Sequence, residues 1–154
     1  MTKRTVSNAL VGIAGVHYVA AELSRRGLIA LPTIRNTAGY DIIVATTDGR
    51  KHANIQVKTS QKKVNFWPMP PSDKVCAKPN DYYVLVRWIE KEKKFEGFML
   101  RGSEAKKAVV AHEHGTWNTN RKLEGHTVWA FVHVGGKREE QGNRWKQRWE
   151  TWSL

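Results

Sequence analysis

No stretch constrains this chain more than the one from Tyr40 to Thr59, YDIIVATTDGRKHANIQVKT, which reads as a β-hairpin. Ile42, Ile43 and Val44 form the first strand, Asp48-Gly49 the turn, and Ile55, Gln56, Val57 and Lys58 the second strand. Successive side chains of a strand alternate faces, so Gln56 and Lys58 point one way while Val57 turns to the core. Asp41 opens the first strand, and pairing across the hairpin is expected to bring it beside them. One anion, one amide and one ammonium then share a surface. Such a set suits a divalent metal and a phosphate held together.

The charge distribution agrees. The formal net charge is +12, from 26 Lys and Arg against 14 Asp and Glu, which favours a polyanionic partner. Residues 1–72 hold ten basic side chains and three acids, Glu22, Asp41 and Asp48. Between Gly49 and Ser72 there is no acid at all, while Arg50, Lys51, Lys58, Lys62 and Lys63 are present. Asp48 is accounted for by its turn with Gly49. Asp41 is a lone anion in a positive field.

Around the hairpin the pattern is that of one α/β domain spanning 1–154. A chain of 154 residues buries roughly 70% of the surface its unfolded form exposes. Ser7 caps a helix that runs to Arg26 and stops at Gly27, with an apolar face of Leu10, Ile13, Ala14, Tyr18, Ala21 and Leu23. A short strand from Leu28 to Leu31 follows, ended by Pro32. From Ser60 to Asn80, the prolines at 68, 70, 71 and 79 predict an irregular connection. Strands are expected over Tyr82 to Trp88 and Phe95 to Leu100, joined by a charged turn from Glu90 to Lys94. A helix then covers Glu104 to about His112, started by Ser103, and a last strand covers Val128 to Val134. No run is long and apolar enough for a membrane span, and no secretory leader is read, so a cytoplasmic location without membrane contact is expected. Cys76 is the only cysteine, which excludes an internal disulfide. His112, His114, His126 and His133 lack the cysteine partners of a zinc site, and zinc is not expected.

Trp145, Trp149 and Trp152 lie at i, i+4 and i+7, one stripe of a helix, with Arg144 and Arg148 beside it. They serve either to dock a terminal helix on the body or to stack bases. Trp67 likewise either anchors its loop or meets nucleic acid. It is carried with Arg35, Lys51, Lys62 and Lys63 as a nucleic-acid-binding candidate.

Gly39-Tyr40-Asp41 at the head of one strand and Gln56-Val57-Lys58 on the next, after a leading helix, resemble the two halves of the PD-(D/E)XK nuclease motif. Gln56 in place of the acid resembles the Q-x-K variant. Phe66-Trp67-Pro68, the YYVLV strand and the Trp-rich close resemble small bacterial domains of that superfamily. The resemblance implies a restriction-endonuclease-like fold: a central mixed β-sheet flanked by helices, with an α-β-β-β core, further strands and a C-terminal helix. It also implies a metal-dependent DNA endonuclease using Mg²⁺ or Mn²⁺. Asp41, the Gln56 amide oxygen and the Val57 carbonyl would be its ligands. Lys58 would orient or help deprotonate the attacking water and stabilise charge on the phosphate, so Asp41, Gln56 and Lys58 form the catalytic set. DNA is the implied partner, and a homodimer is common in the superfamily because two strands need two sites.

One position departs from the family. Where members often carry G-x-x-G-E in the first helix, this chain has Gly12-Ile13-Ala14-Gly15-Val16. Valine donates no lone pair. His17 is turned about 100° away, and Glu22 is expected to pair with Arg25 or Arg26. Weakened catalysis is therefore expected. The alternatives are a catalytically inactive nucleic-acid-binding module of the same fold, and a protein-interaction subunit.

Overall fold

The computed structural model describes residues 6–34, 39–61, 65–113, 121–123, 126–128 and 130–154. Along the chain these form α1 (Asn8–Arg25), β1 (Ile29–Pro32), β2 (Ile42–Ala45), β3 (His52–Ser60), β4 (Phe66–Met69) and a 3-10 turn (Ser72–Lys74). Next come β5 (Asp81–Ile89), β6 (Lys94–Arg101), α2 (Gly102–Glu113), β7 (Arg121–Leu123), β8 (His126–Val128), β9 (Ala130–His133), a second 3-10 turn (Gly136–Arg138) and α3 (Glu139–Thr151).

Five strands make one mixed sheet, ordered β1-β2-β3-β5-β6. All its pairs are antiparallel except β3 with β5, where Gln56 lies beside Tyr83 and Lys58 beside Leu85. One face carries Ile42, Val44, Ala53, Ile55, Val57, Val84, Val86 and Met99, packed under Val19, Ala20 and Leu23 of α1 and under Trp149 and Trp152. The other carries Tyr83, Leu85, Phe98 and Leu100, covered by Ala105, Ala108 and Val109 of α2, by Trp67 and Met69 of β4, and by Trp145. The expected helix–sheet–helix architecture is present.

Local chemistry explains the element ends. Ser7 caps α1, accepting from the Leu10 N–H at 3.4 Å. Gly27 adopts φ +81°, which ends the helix while the Leu28 N–H returns to the Leu23 carbonyl at 3.2 Å. The turn of the hairpin is held by Asp48, whose Oδ1 accepts from the Thr46 hydroxyl at 2.6 Å and the Arg50 N–H at 3.1 Å.

Three expectations need correction. The buried face of α1 is Gly15, Val19, Ala20 and Leu23, while Leu10, Ile13, Ala14 and Ala21 are exposed. The helix meets β3 at Gly15, where a side chain would collide with Thr59, so the contact stripe follows a residue that hydropathy does not score. The connection from Ser60 to Asn80 also contains a strand, β4, paired with β9. Pro68 is tolerated because a two-stranded ribbon leaves an outward N–H position free of duty. The last strand expected over Val128 to Val134 is instead β8 and β9.

The tryptophan stripe of α3 docks on the body: Trp145, Trp149 and Trp152 are all buried, so none is available to stack a base. Gly97 of β6 makes room, since a Cβ there would stand 2.6 Å from the Trp149 indole nitrogen. Arg148 clamps the helix to Glu104 at the start of α2, with a second contact at 3.2 Å. Desolvation opposes ionisation of Glu104, but the Arg148 guanidinium and the Arg101 N–H prevail and lower its pKa.

Candidate active site

Strands β2 and β3 pair only from Ala45↔His52 to Ile42↔Ile55. The Asp41 N–H donates to the Ile55 carbonyl at 2.9 Å, so Asp41 and Ile42 both address Ile55 in the manner of a β-bulge. There the chain leaves the sheet, while β3 runs on to Ser60 paired, among the described residues, with β5 alone. The fork exposes the edge of β3 beyond Ile55. A backbone N–H in such a place must find another acceptor. That of Val57 finds the Asp41 carboxylate, with Oδ2 at 2.7 Å. In an extended strand the N–H and C=O of one residue project the same way, so the Val57 carbonyl also faces the fork.

Gln56 and Lys58 flank this contact from the face opposite Val57, and both are half-buried, as is Asp41. Burial lowers the Lys58 pKa, and the Asp41 carboxylate works against that by favouring the charged amine. The sequence-derived trio therefore gathers at one place: the aspartate at the strand edge, and the amide and the amine two residues apart beside it.

The donors on offer are all oxygens: Asp41, the Val57 carbonyl and the Gln56 amide. Among the described residues no three His, Cys, Asp or Glu side chains cluster. One carboxylate with neutral oxygens fits Mg²⁺ in the mode that keeps several waters and shares substrate phosphate oxygens. It does not suit a metal caged wholly by protein. Val16 is half-buried against the apolar layer that contains Val57, so the helix adds no oxygen at that position. His17 is exposed, and Glu22 pairs with Arg25 at 3.0 Å and Arg26 at 3.3 Å as expected.

The nucleic-acid-binding candidates fare differently. Trp67 is 1% exposed; its indole N–H donates to the Val86 carbonyl at 3.0 Å and its ring packs on Phe98. Alternation along β4 turns it into the core, so it meets no ligand. Lys51 is exposed, but it precedes β3 at the hairpin tip, seven residues or roughly 23 Å of strand from Lys58. There its Nζ lies 3.3 Å from the Leu154 carbonyl. Arg35, Lys62 and Lys63 lie outside the described residues.

A residue that sequence reasoning missed lies in the next row of the same sheet face. Asp81, paired in register with Asn54, is 1% exposed. Its Oδ1 accepts from Asn54 Nδ2 at 3.1 Å and its Oδ2 from the Lys78 N–H at 2.9 Å. It also acts on Tyr40, whose hydroxyl pKa is pushed up to about 12 by burial first and by Asp81 next. The Tyr83 hydroxyl, beside Gln56, accepts from the Cys76 N–H at 3.0 Å. Cys76 in turn sits against Gly39, which at φ +93° has no side chain to obstruct it. The signal available in the sequence was a lone Asp after Pro79-Asn80 at the head of an apolar strand.

No family model matches the chain, and no curated protein matches it. Among solved structures, the bacterial homing endonuclease I-Ssp6803I is similar at 14% identity and a TM-score of 0.47, over 65% of this chain and 69% of that one.

Proposed function

We propose that this chain is a metal-dependent DNA endonuclease of the PD-(D/E)XK kind, weakened at one ligand position. The observation that carries the proposal is the 2.7 Å contact between the Asp41 carboxylate and the Val57 N–H, at a fork flanked by Gln56 and Lys58. A net charge of +12 supports a polyanionic substrate. Bound at Asp41, Gln56 and Val57, Mg²⁺ or Mn²⁺ supplies Lewis-acid stabilisation of a phosphodiester. The chain's own groups do the rest. Asp41 is held rigid by the strand edge, so its free lone pairs point at a fixed place. Lys58, held close by, meets the negative charge that gathers on the phosphate oxygens as water adds and the sugar oxygen leaves.

Purified protein incubated with plasmid and short junction substrates, with Mg²⁺ or Mn²⁺, is expected to cut. Asp41→Asn is expected to lose roughly a hundredfold in rate, the scale of one preorganised group. Absence of cleavage with either metal, and equal DNA binding by parent and variant, would overturn the enzymatic claim. Val16 favours a second outcome, a binding module that keeps the fold without the chemistry. That outcome gives salt-sensitive binding with no metal requirement. A cytoplasmic location and a homodimer belong to the same proposal, and sedimentation with and without DNA tests the latter.

A further inference from the structure

Of the cations chosen from the sequence, Lys51 lies away from the fork and the others lie outside the described residues, but two further lysines sit on a connection that reaches its neighbourhood. The connection between β4 and β5 is pinned at several points. Val75 is buried in the core, the Lys74 N–H donates to the Pro71 carbonyl at 2.9 Å, and the Cys76 N–H is held by Tyr83. The Lys78 N–H is held by the buried Asp81, and the Asp81 N–H returns to the Lys78 carbonyl at 3.0 Å. Its middle residue, Cys76, abuts Gly39, two residues before Asp41, and stands over Tyr83, the register neighbour of Gln56. Lys74 and Lys78 lie two residues to either side of Cys76, each within ~7 Å of chain. Both are exposed, and neither makes an ion pair among the described residues. The loop's one acid, Asp73, is also exposed and faces no partner among them.

We propose that this pinned loop is a phosphate-binding element for the DNA backbone, with Lys74 and Lys78 contacting phosphates beside the one presented to Asp41. The inference rests on the nuclease proposal for its ligand and deepens it by naming where the backbone is gripped. A fixed loop loses little conformational freedom on binding, so its two cations contribute more than those on mobile segments. Their placement beside the fork sets the register of the duplex without reading its sequence.

The test is the salt dependence of binding to a short labelled duplex, without divalent metal, for the parent, Lys74→Gln, Lys78→Gln and Lys91→Gln. Lys91 is an exposed cation in the turn after β5, at the strand end away from Asp81, and controls for net charge. Each loop variant is expected to flatten the slope of log affinity against log salt by roughly 0.9, the value for one lost phosphate contact. Lys91→Gln leaves the slope unchanged. If the parent binds with a steep slope and the loop variants match it, the loop assignment is wrong while the nuclease proposal stands. A parent with no salt-sensitive binding removes both.

Discussion

Two aspartates lie near the middle strand of the sheet, in adjoining rows, and the molecule treats them in opposite ways. Asp81 is closed off: buried, with Asn54 and the Lys78 N–H each taking one oxygen, it staples β3, β5 and the preceding loop together. Asp41 is half-buried, and among the described residues its carboxylate has one backbone partner, the Val57 N–H, at a place where two strands part. A carboxylate satisfied within the protein is structural, because each of its oxygens already has a protein partner. One that is held firmly but left with lone pairs facing a gap can bind something from outside. The difference is in what the backbone does around each residue: continuous pairing at Asp81, a fork at Asp41.

The largest effect expected from this contrast is on stability. Asp81→Ala leaves the Asn54 amide and the Lys78 N–H without their acceptor, two part-buried donors where Asp41→Ala leaves one, at about 1–3 kcal/mol each. A loss of about 3 kcal/mol corresponds to a melting temperature lower by about 6–12 °C for a chain of this size. Asp41→Ala leaves one donor, the Val57 N–H, without its acceptor and is expected to cost about 1 kcal/mol. Thermal melts of the two variants side by side check this. Equal losses would mean that Asp41 is as much a part of the scaffold as Asp81, and would remove the reason for calling it functional.

The same contrast shows where sequence reasoning reaches and where it stops. Asp41, Gln56 and Lys58 were legible because a hairpin has period 2 and one antiparallel partner, so register follows from the turn at Asp48-Gly49. The fork itself was not legible. It depends on a bulge at Asp41 and on β3 gaining a parallel partner from residues 81–89, a pairing that no local pattern encodes. Asp81 was missed for that reason: its role needs Asn54, which is 27 positions away. The face of α1 was misjudged because its tightest contact uses the absence of a side chain at Gly15. The strand that holds Trp67 was missed because its prolines disguise a short element whose partner, β9, lies more than sixty positions along the chain. The terminal tryptophans were readable because helical spacing alone puts them on one stripe.

Lys58 offers a smaller effect of opposite sign. Burial lowers its pKa, and Asp41 only partly offsets this, so the fold disfavours its protonated form. Between its lowered pKa and its ordinary value of 10.5, the unfolded chain binds more protons than the folded one, and stability rises with pH. The penalty therefore grows as pH falls from that value towards neutrality. Lys58→Met removes it while keeping the apolar stem, so the melting temperature at pH 7 is expected to rise by a few degrees, with a smaller gain at pH 10. Activity is expected to fall in the same variant. Stability gained together with activity lost marks a residue kept for chemistry. A variant that is less stable than the parent at pH 7 would show that Lys58 supports the scaffold after all.

The finest test asks whether the fork can accept a second carboxylate. Val16 packs beside the layer that holds Val57, so a longer acidic side chain there has a short path to the strand edge. Without metal, Val16→Glu places a charge against an apolar layer and is expected to cost about 1 kcal/mol. With Mn²⁺ the added oxygen ligand is expected to tighten binding roughly tenfold, about 1.4 kcal/mol. Because a ligand of the folded state stabilises it by mass action, the variant's melting temperature should climb further with added Mn²⁺ than the parent's does. The two effects have opposite signs and can be read in one titration. A variant that is destabilised yet no more responsive to metal would place Val16 away from the fork, leaving Asp41 with no partner from the helix and shifting the balance towards a binding module.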